Sequence, residues 1–99
     1  MELWLIKKNF NNDMIVDQLE IIKETEKTFK LDKNNAYISV LNKNDINRVN
    51  TTTRPYVIST SVEKGIELLI TYCNRMLTRA REQIDRIESD INQLKELRK

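Results

Sequence analysis

The chain has 99 residues, 39% of them apolar and 32% charged, and its 17 basic and 15 acidic side chains leave a net charge of +2. That balance describes one folded domain with an exposed helical portion; it excludes disorder, and the mixing of signs excludes a single-sign arm for nucleic acid or an acidic membrane. With no histidine, the chain lacks the commonest general base, histidine-containing triads and most transition-metal sites.

A chain this short buries only about two thirds of its unfolded surface, so oligomerisation is the expected source of further burial. One cysteine, Cys73, forms no internal disulfide and fits a reducing compartment. Neither an export-length apolar run at the N-terminus nor about 18 consecutive apolar residues elsewhere occurs, so the expectation is a cytoplasmic protein without a membrane partner. The abundance of isoleucine, asparagine and lysine suits low-GC coding, in a bacterium or something that infects one.

Glu2 to Asn9 alternates Leu3 and Leu5 against Trp4 and Ile6 and predicts a strand that ends in the turn-prone run Asn9 to Asp13, giving a first hairpin. Met14 to Leu31 is rich in strand formers, and the charged segment Lys23 to Lys27 allows either one long bent strand or two, with two favoured. Lys33-Asn34-Asn35 signals a turn before a strand over Ala36 to Leu41, with Tyr37 and Ser39 opposite Ile38 and Val40. Asn42 to Val49 predicts a turn with a short helical piece, Asp45 as its cap and Ile46 and Val49 pointing inward. Asn50 to Thr53 is a loop, Pro55 marks a strand edge or start, and Tyr56 to Ile58 is a last strand.

Thr60 to Glu63 matches the capping box and starts a helix over 61–98. Gly65 costs about 1 kcal/mol there against alanine, which predicts a close backbone contact with the sheet. Apolar residues at Ile66, Ile70, Cys73, Leu77, Ala80, Ile84, Ile87, Ile91 and Leu94 hold one stripe for more than three heptads. Between Val62 and Leu77 apolar side chains spread nearly all round, which predicts burial on more than one side; beyond Ala80 the stripe narrows to a coiled-coil seam, with Leu97 beside it.

About 38 helical residues at ~1.5 Å each outrun any sheet of five- to seven-residue strands, so the second half projects. Self-association through residues 77–97, with Leu77, Ala80, Ile84, Ile87, Ile91 and Leu94 at the contact, is the expectation; the alternative is a helix folded back on its own sheet. An antiparallel pair centred near Ile84 sets Arg81 against Glu88 of the other copy, a parallel pair sets Asp90 against Lys95, and these charges do not decide between them.

Chemistry is sparse. Cys73 on the seam reads as a small buried hydrophobe, a single glycine excludes phosphate-cradling loops, and Glu82, Asp85 and Glu88 read as members of solvated pairs, Arg81 with Asp85 and Glu82 with Arg86, not as ligands of a hard cation. No catalytic residue, metal or cofactor is expected. The one constellation with a functional pattern is Tyr72, Arg75 and Arg79 at i, i+3 and i+7, with Thr71, Thr78 and Arg86 close by. A flat ring beside guanidinium forks serves phosphate and base recognition and equally anchors protein interfaces; Arg54, Lys7, Lys8, Lys43 and Lys64 would extend a basic rim.

Glu20-Ile-Ile-Lys-Glu-Thr-Glu-Lys-Thr-Phe29 and Leu41-Asn-Lys-Asn-Asp-Ile-Asn-Arg-Val49 resemble segments of short proteins from phages and prophages of low-GC Gram-positive bacteria. The resemblance covers about a fifth of the chain. It implies an accessory viral protein that blocks host defence, by binding a defence enzyme or by sequestering a nucleotide signal.

The expectation is therefore an α+β chain: an antiparallel sheet of four or five strands over residues 2–59, then one long helix entering an intermolecular coiled coil or bundle. Its function is expected to be non-enzymatic, stoichiometric binding of a host protein through Tyr72, Arg75, Arg79 and Arg54. The alternatives are a sponge that holds a nucleotide between subunits and a small nucleic-acid-binding regulator, the latter disfavoured by the low net charge.

Overall fold

Apolar residues alternate without a polar partner face in Leu3–Lys8, so this strand, β1, needs cover on both sides and lies inside a sheet. The structure, a computed structural model, describes residues 2–32, 39–51 and 54–98. Among them β1 pairs antiparallel with β2 (Met14–Leu19) on one side and with the strand Tyr56–Ser59 on the other. Three further strands, β3 (Ile21–Glu24), β4 (Thr28–Leu31) and β5 (Val40–Asn42), form a second sheet in that order. A two-residue strand, β6 (Val49–Asn50), precedes Tyr56–Ser59, which is β7, and the first sheet runs β2-β1-β7-β6. One helix, α1 (Val62–Leu97), completes the chain.

The α+β arrangement of antiparallel strands followed by one long helix matches the expectation from the residues, but the strands number seven among the described residues and divide into two sheets. Met14 to Leu31 holds three strands, not two, because the chain passes from one sheet to the other at Glu20. There the Asp32 N–H donates to the Glu20 carbonyl at 3.0 Å. The sequence-predicted turn at 33–35 and the first half of the strand Ala36 to Leu41 lie outside the described residues, as do Thr52 and Thr53.

The two faces of the first sheet bury different things. Leu3, Leu5, Leu19 and Ile58 pack against Phe29, Leu31 and Leu41 of the second sheet, with Ile21, Ile46 and Tyr56 at the margin. Ile6 and Val57, on the opposite face, receive Leu69 of the helix, flanked by Val49 and Leu68. The layers are thus sheet, sheet, helix.

Asn47 joins these layers. Its left-handed φ of 61° suits an asparagine, its N–H donates to the Ile58 carbonyl at 2.8 Å, and its Oδ1 accepts from the buried Ser59 Oγ at 2.8 Å and the Thr60 N–H at 3.2 Å. The short helical piece is a 3-10 turn, Lys43–Asp45, and its cap is Asn42, whose side chain accepts from the Asn44 N–H, not Asp45. Ile46 and Val49 are half-buried, as expected.

The capping-box match at Thr60 is one residue early. Ser61 caps the helix, its Oγ accepting from the Lys64 N–H at 3.1 Å, and Lys64 stands where a capping box would put an acid. Gly65 does make the close approach foreseen for it: a Cβ there would stand 2.6 Å from Ile6 Cδ1, 3.1 Å from Ser59 Cβ and 3.4 Å from Val57 Cγ1.

Urea denaturation checks both features. Ser61→Ala is expected to cost about 1 kcal/mol and Thr60→Ala only tenths, since only the former removes a cap. Gly65→Val is expected to cost roughly 1–3 kcal/mol through overpacking against Ile6, Ser59 and Val57.

Candidate functional site

Helix α1 extends about 54 Å at ~1.5 Å per residue in a molecule measuring 69 × 29 × 22 Å. Only its first turns touch strands. Gly65 and Leu69 are buried and Val62, Leu68 and Tyr72 half-buried, whereas Cys73 to Arg98 is exposed throughout. The helix therefore does not fold back on its own sheet.

Burial on more than one side of Val62 to Leu77 is not found. The contact line runs Val62, Gly65, Leu69, Tyr72 at steps of three and four, and the seam residues Ile66, Ile70 and Cys73, about 100° round the helix from it, remain in solvent. Cys73 is exposed in the single chain, on the seam itself. Farther out Leu77, Ile84, Ile87 and Ile91 keep 48%, 53%, 50% and 45% of their surface, and Leu94 and Leu97 keep 63% and 81%. Ala80 is exposed among them. The sequence-predicted contact residues thus form one continuous, uncovered apolar stripe.

The Tyr72 constellation lies on another face. Tyr72 rests partly on the edge of the sheet-covered region while Arg75 and Arg79 stand in solvent. Together with Thr71, Asn74, Thr78 and Glu82 the two arginines line a shallow groove of about 510 Å³. Thr78 Oγ1 donates to the Asn74 carbonyl at 3.1 Å and is spent within the helix. Glu82 sets a carboxylate beside the two guanidinium groups, so the groove is mixed in charge rather than an anion trap.

Arg54 joins a different feature. Its Nη1 donates to the Asn9 carbonyl at 3.2 Å and its guanidinium lies 5.8 Å from the centre of the exposed Phe10 ring, at the turn closed by Asn9 Oδ1, which accepts from the N–H groups of Asn11 and Asp13. Lys43 is likewise engaged, 2.8 Å from Glu24 and 4.9 Å from the centre of the Phe29 ring. The expected pairs Arg81 with Asp85 and Glu82 with Arg86 do not close to ion-pair distance; with every partner in full solvent, ordering two long side chains outweighs the attraction.

A concavity that the sequence does not announce opens between the sheets. Val40, Asn42, Asp45, Arg48, Tyr56 and Ile58 line a cleft of about 560 Å³, and at its wall Asn50 Nδ2 donates to the Oη of its cross-strand neighbour Tyr56 at 3.0 Å. Its lining comes from one stretch, residues 40–58, that passes from the second sheet to the first, and no motif of known chemistry marks it. Among the described residues no group of three His, Cys, Asp or Glu side chains could hold a metal ion, and no helix is long and apolar enough to cross a membrane. Compared with family models, with curated proteins and with solved structures, the chain matches none.

The exposed Cys73 reports on the seam. A thiol-reactive chromophore is expected to label it at least ten times faster in Ile84→Asp than in the unsubstituted protein, with equal rates meaning that nothing covers the seam.

Proposed function

We propose that the chain is a non-enzymatic, homo-oligomeric binding protein that acts by stoichiometric occupation of a protein partner, with Tyr72, Arg75 and Arg79 as its contact face. The observation that carries this reading is the apolar stripe that continues along α1 beyond the sheet, uncovered from Ile66 to Leu97.

Energetics support a second copy as cover. Burial of a half-exposed leucine or isoleucine stabilises by roughly 1 kcal/mol, so two copies closing the seam recover on the order of 10 kcal/mol, comparable to the ~4–15 kcal/mol cost of association. The seam alone comes close to balance, and contacts beyond it decide how tight the assembly is.

The mixed charge of the groove supports a protein partner over a nucleotide or nucleic acid. A tyrosine and two arginines on a rigid helix are what interfaces use as anchors, whereas Glu82 opposes phosphate there and a net charge of +2 offers no concentrated basic surface. The resemblance to phage and prophage accessory proteins supports a defence protein in the host bacterial cytoplasm as the target.

Light scattering on the purified protein is expected to give a multiple of the chain mass that falls to one chain in Ile84→Asp. Arg75→Glu with Arg79→Glu should abolish capture of the partner at unchanged oligomeric mass. Stabilisation by a nucleotide panel in thermal shift, or a salt-dependent gel shift, would replace the protein-partner reading.

A further inference from the structure

The helix seam is not the only apolar surface left open. Opposed residues of paired strands share a face, and Ile6, which faces the helix, lies opposite Val16, with Lys8 opposite Met14. Trp4, two residues before Ile6, shares that face. Val16 and Met14 are about half exposed on edge strand β2, past the strands β7, β1 and β6 on which the helix sits.

These residues lie on the same flank of the helix as the seam. Leu68 marks the other flank, half-buried with Val49 of β6 against the helix-facing core. At ~100° per residue, Ile66, Ile70 and Cys73 stand roughly 140–200° from Leu68, over the β1–β2 side. Sheet face and seam therefore form one L-shaped socket, with Trp4, Met14 and Val16 as its floor and Ile66, Ile70 and Cys73 as its wall.

We propose that the occupant of this socket is the free end of α1 from a second copy, in an antiparallel two-fold dimer; this deepens the oligomeric reading above and rests on it. The side-chain sizes along the seam select the direction. In a parallel pair each seam residue meets itself, so Ala80 would face Ala80 and Cys73 would face Cys73, two thin layers in a short core. In an antiparallel pair Ile70 meets Leu94, Cys73 meets Ile91, Leu77 meets Ile87 and Ala80 meets Ile84, each contact occurring twice about the dyad. Every seam residue from Ile70 to Leu94 is covered, and both small residues face isoleucine, the large-against-small alternation that fills a core.

Charge fits at the ends, where Glu67 meets Lys95, and is spent at the dyad, where Arg81 meets Arg81 on the solvent side. Sliding by one heptad would set Arg81 against Glu88 but leave Ile70 and Cys73 without partners. Burying an aliphatic side chain outweighs an exposed ion pair, so the fully covered register is the one selected.

This register lays Leu97, which touches almost nothing in its own copy, beside Leu69 and above Trp4 of the other. The interface is isologous and closes at two copies.

The chain's one cysteine and one tryptophan make the test direct. Ile91→Cys, leaving Cys73 in place, is expected to give mostly covalent dimer on mild oxidation, while the unsubstituted protein gives little. Trp4 emission is expected to shift to the red on dilution and in Leu97→Asp, a change outside the folded layers of its own copy. Cross-linking of the unsubstituted protein through Cys73 would show parallel helices, and efficient linking of Ala80→Cys with Ile91→Cys on a Cys73→Ser background would show the slid register. Either overturns the arrangement while leaving oligomeric binding intact; Trp4 emission indifferent to both treatments overturns the socket. A single-chain mass at high concentration removes this inference and the proposed function together.

Discussion

The depth at which α1 lies on its sheet is set at Gly65, where the helix backbone comes so near that even a methyl group would displace Ile6 Cδ1 and press on Ser59 Cβ. A helix seated that low has its rotation fixed as well. Gly65, Leu69 and Tyr72 face the sheet, Leu68 is half-buried against the same core as Val49, and the heptad stripe is left in solvent. Ser61 fixes where the helix begins and Asn47 ties that start to β7. Three local interactions, all within the first turns of the helix or just before them, thus orient the whole length of the rod beyond.

So oriented, the helix leaves a large apolar surface that one copy does not cover. The first sheet is filled on one face by Phe29, Leu31 and Leu41 and covered over part of the other by the helix. A single 36-residue helix crossing one face cannot also reach β2, and the residues past Tyr72 have no strand beneath them. The proposed self-association treats these two deficits, a half-bare sheet and a bare rod, as complements. The proposed contact residues Arg75 and Arg79 stand on a different side of the same helix from the stripe, so the proposed assembly and partner binding would not compete for the same residues.

Much of this was legible in the residues. The period of the apolar positions gave α1 almost to its ends, and a glycine in the first turns of an otherwise strong helix pointed to the close approach. The sheets were harder. Leu19 belongs to one and Ile21 to the other, with only Glu20 between them and no glycine or proline to mark the change, so strand propensity ran across a real boundary. The two caps misled for a related reason: Thr60 and Ser61 are adjacent hydroxyls and Asn42 and Asp45 are neighbouring acceptors, and only backbone geometry decides which of each pair faces the free N–H groups. The periodicity also could not say that the sheet contact and the stripe use different faces, because Ile66 and Ile70 fit either until Gly65 fixes the rotation.

No glycine or proline falls between Gly65 and the end of α1. The rod therefore has no hinge, and the spacing from the strands to its tip is set by helix pitch alone. Whatever engages the far end is held at a constant distance and bearing from the sheet, so the chain serves as a ruler as well as an anchor: removing one residue from the outer half would shorten the span by about 1.5 Å and swing its tip by about 100°.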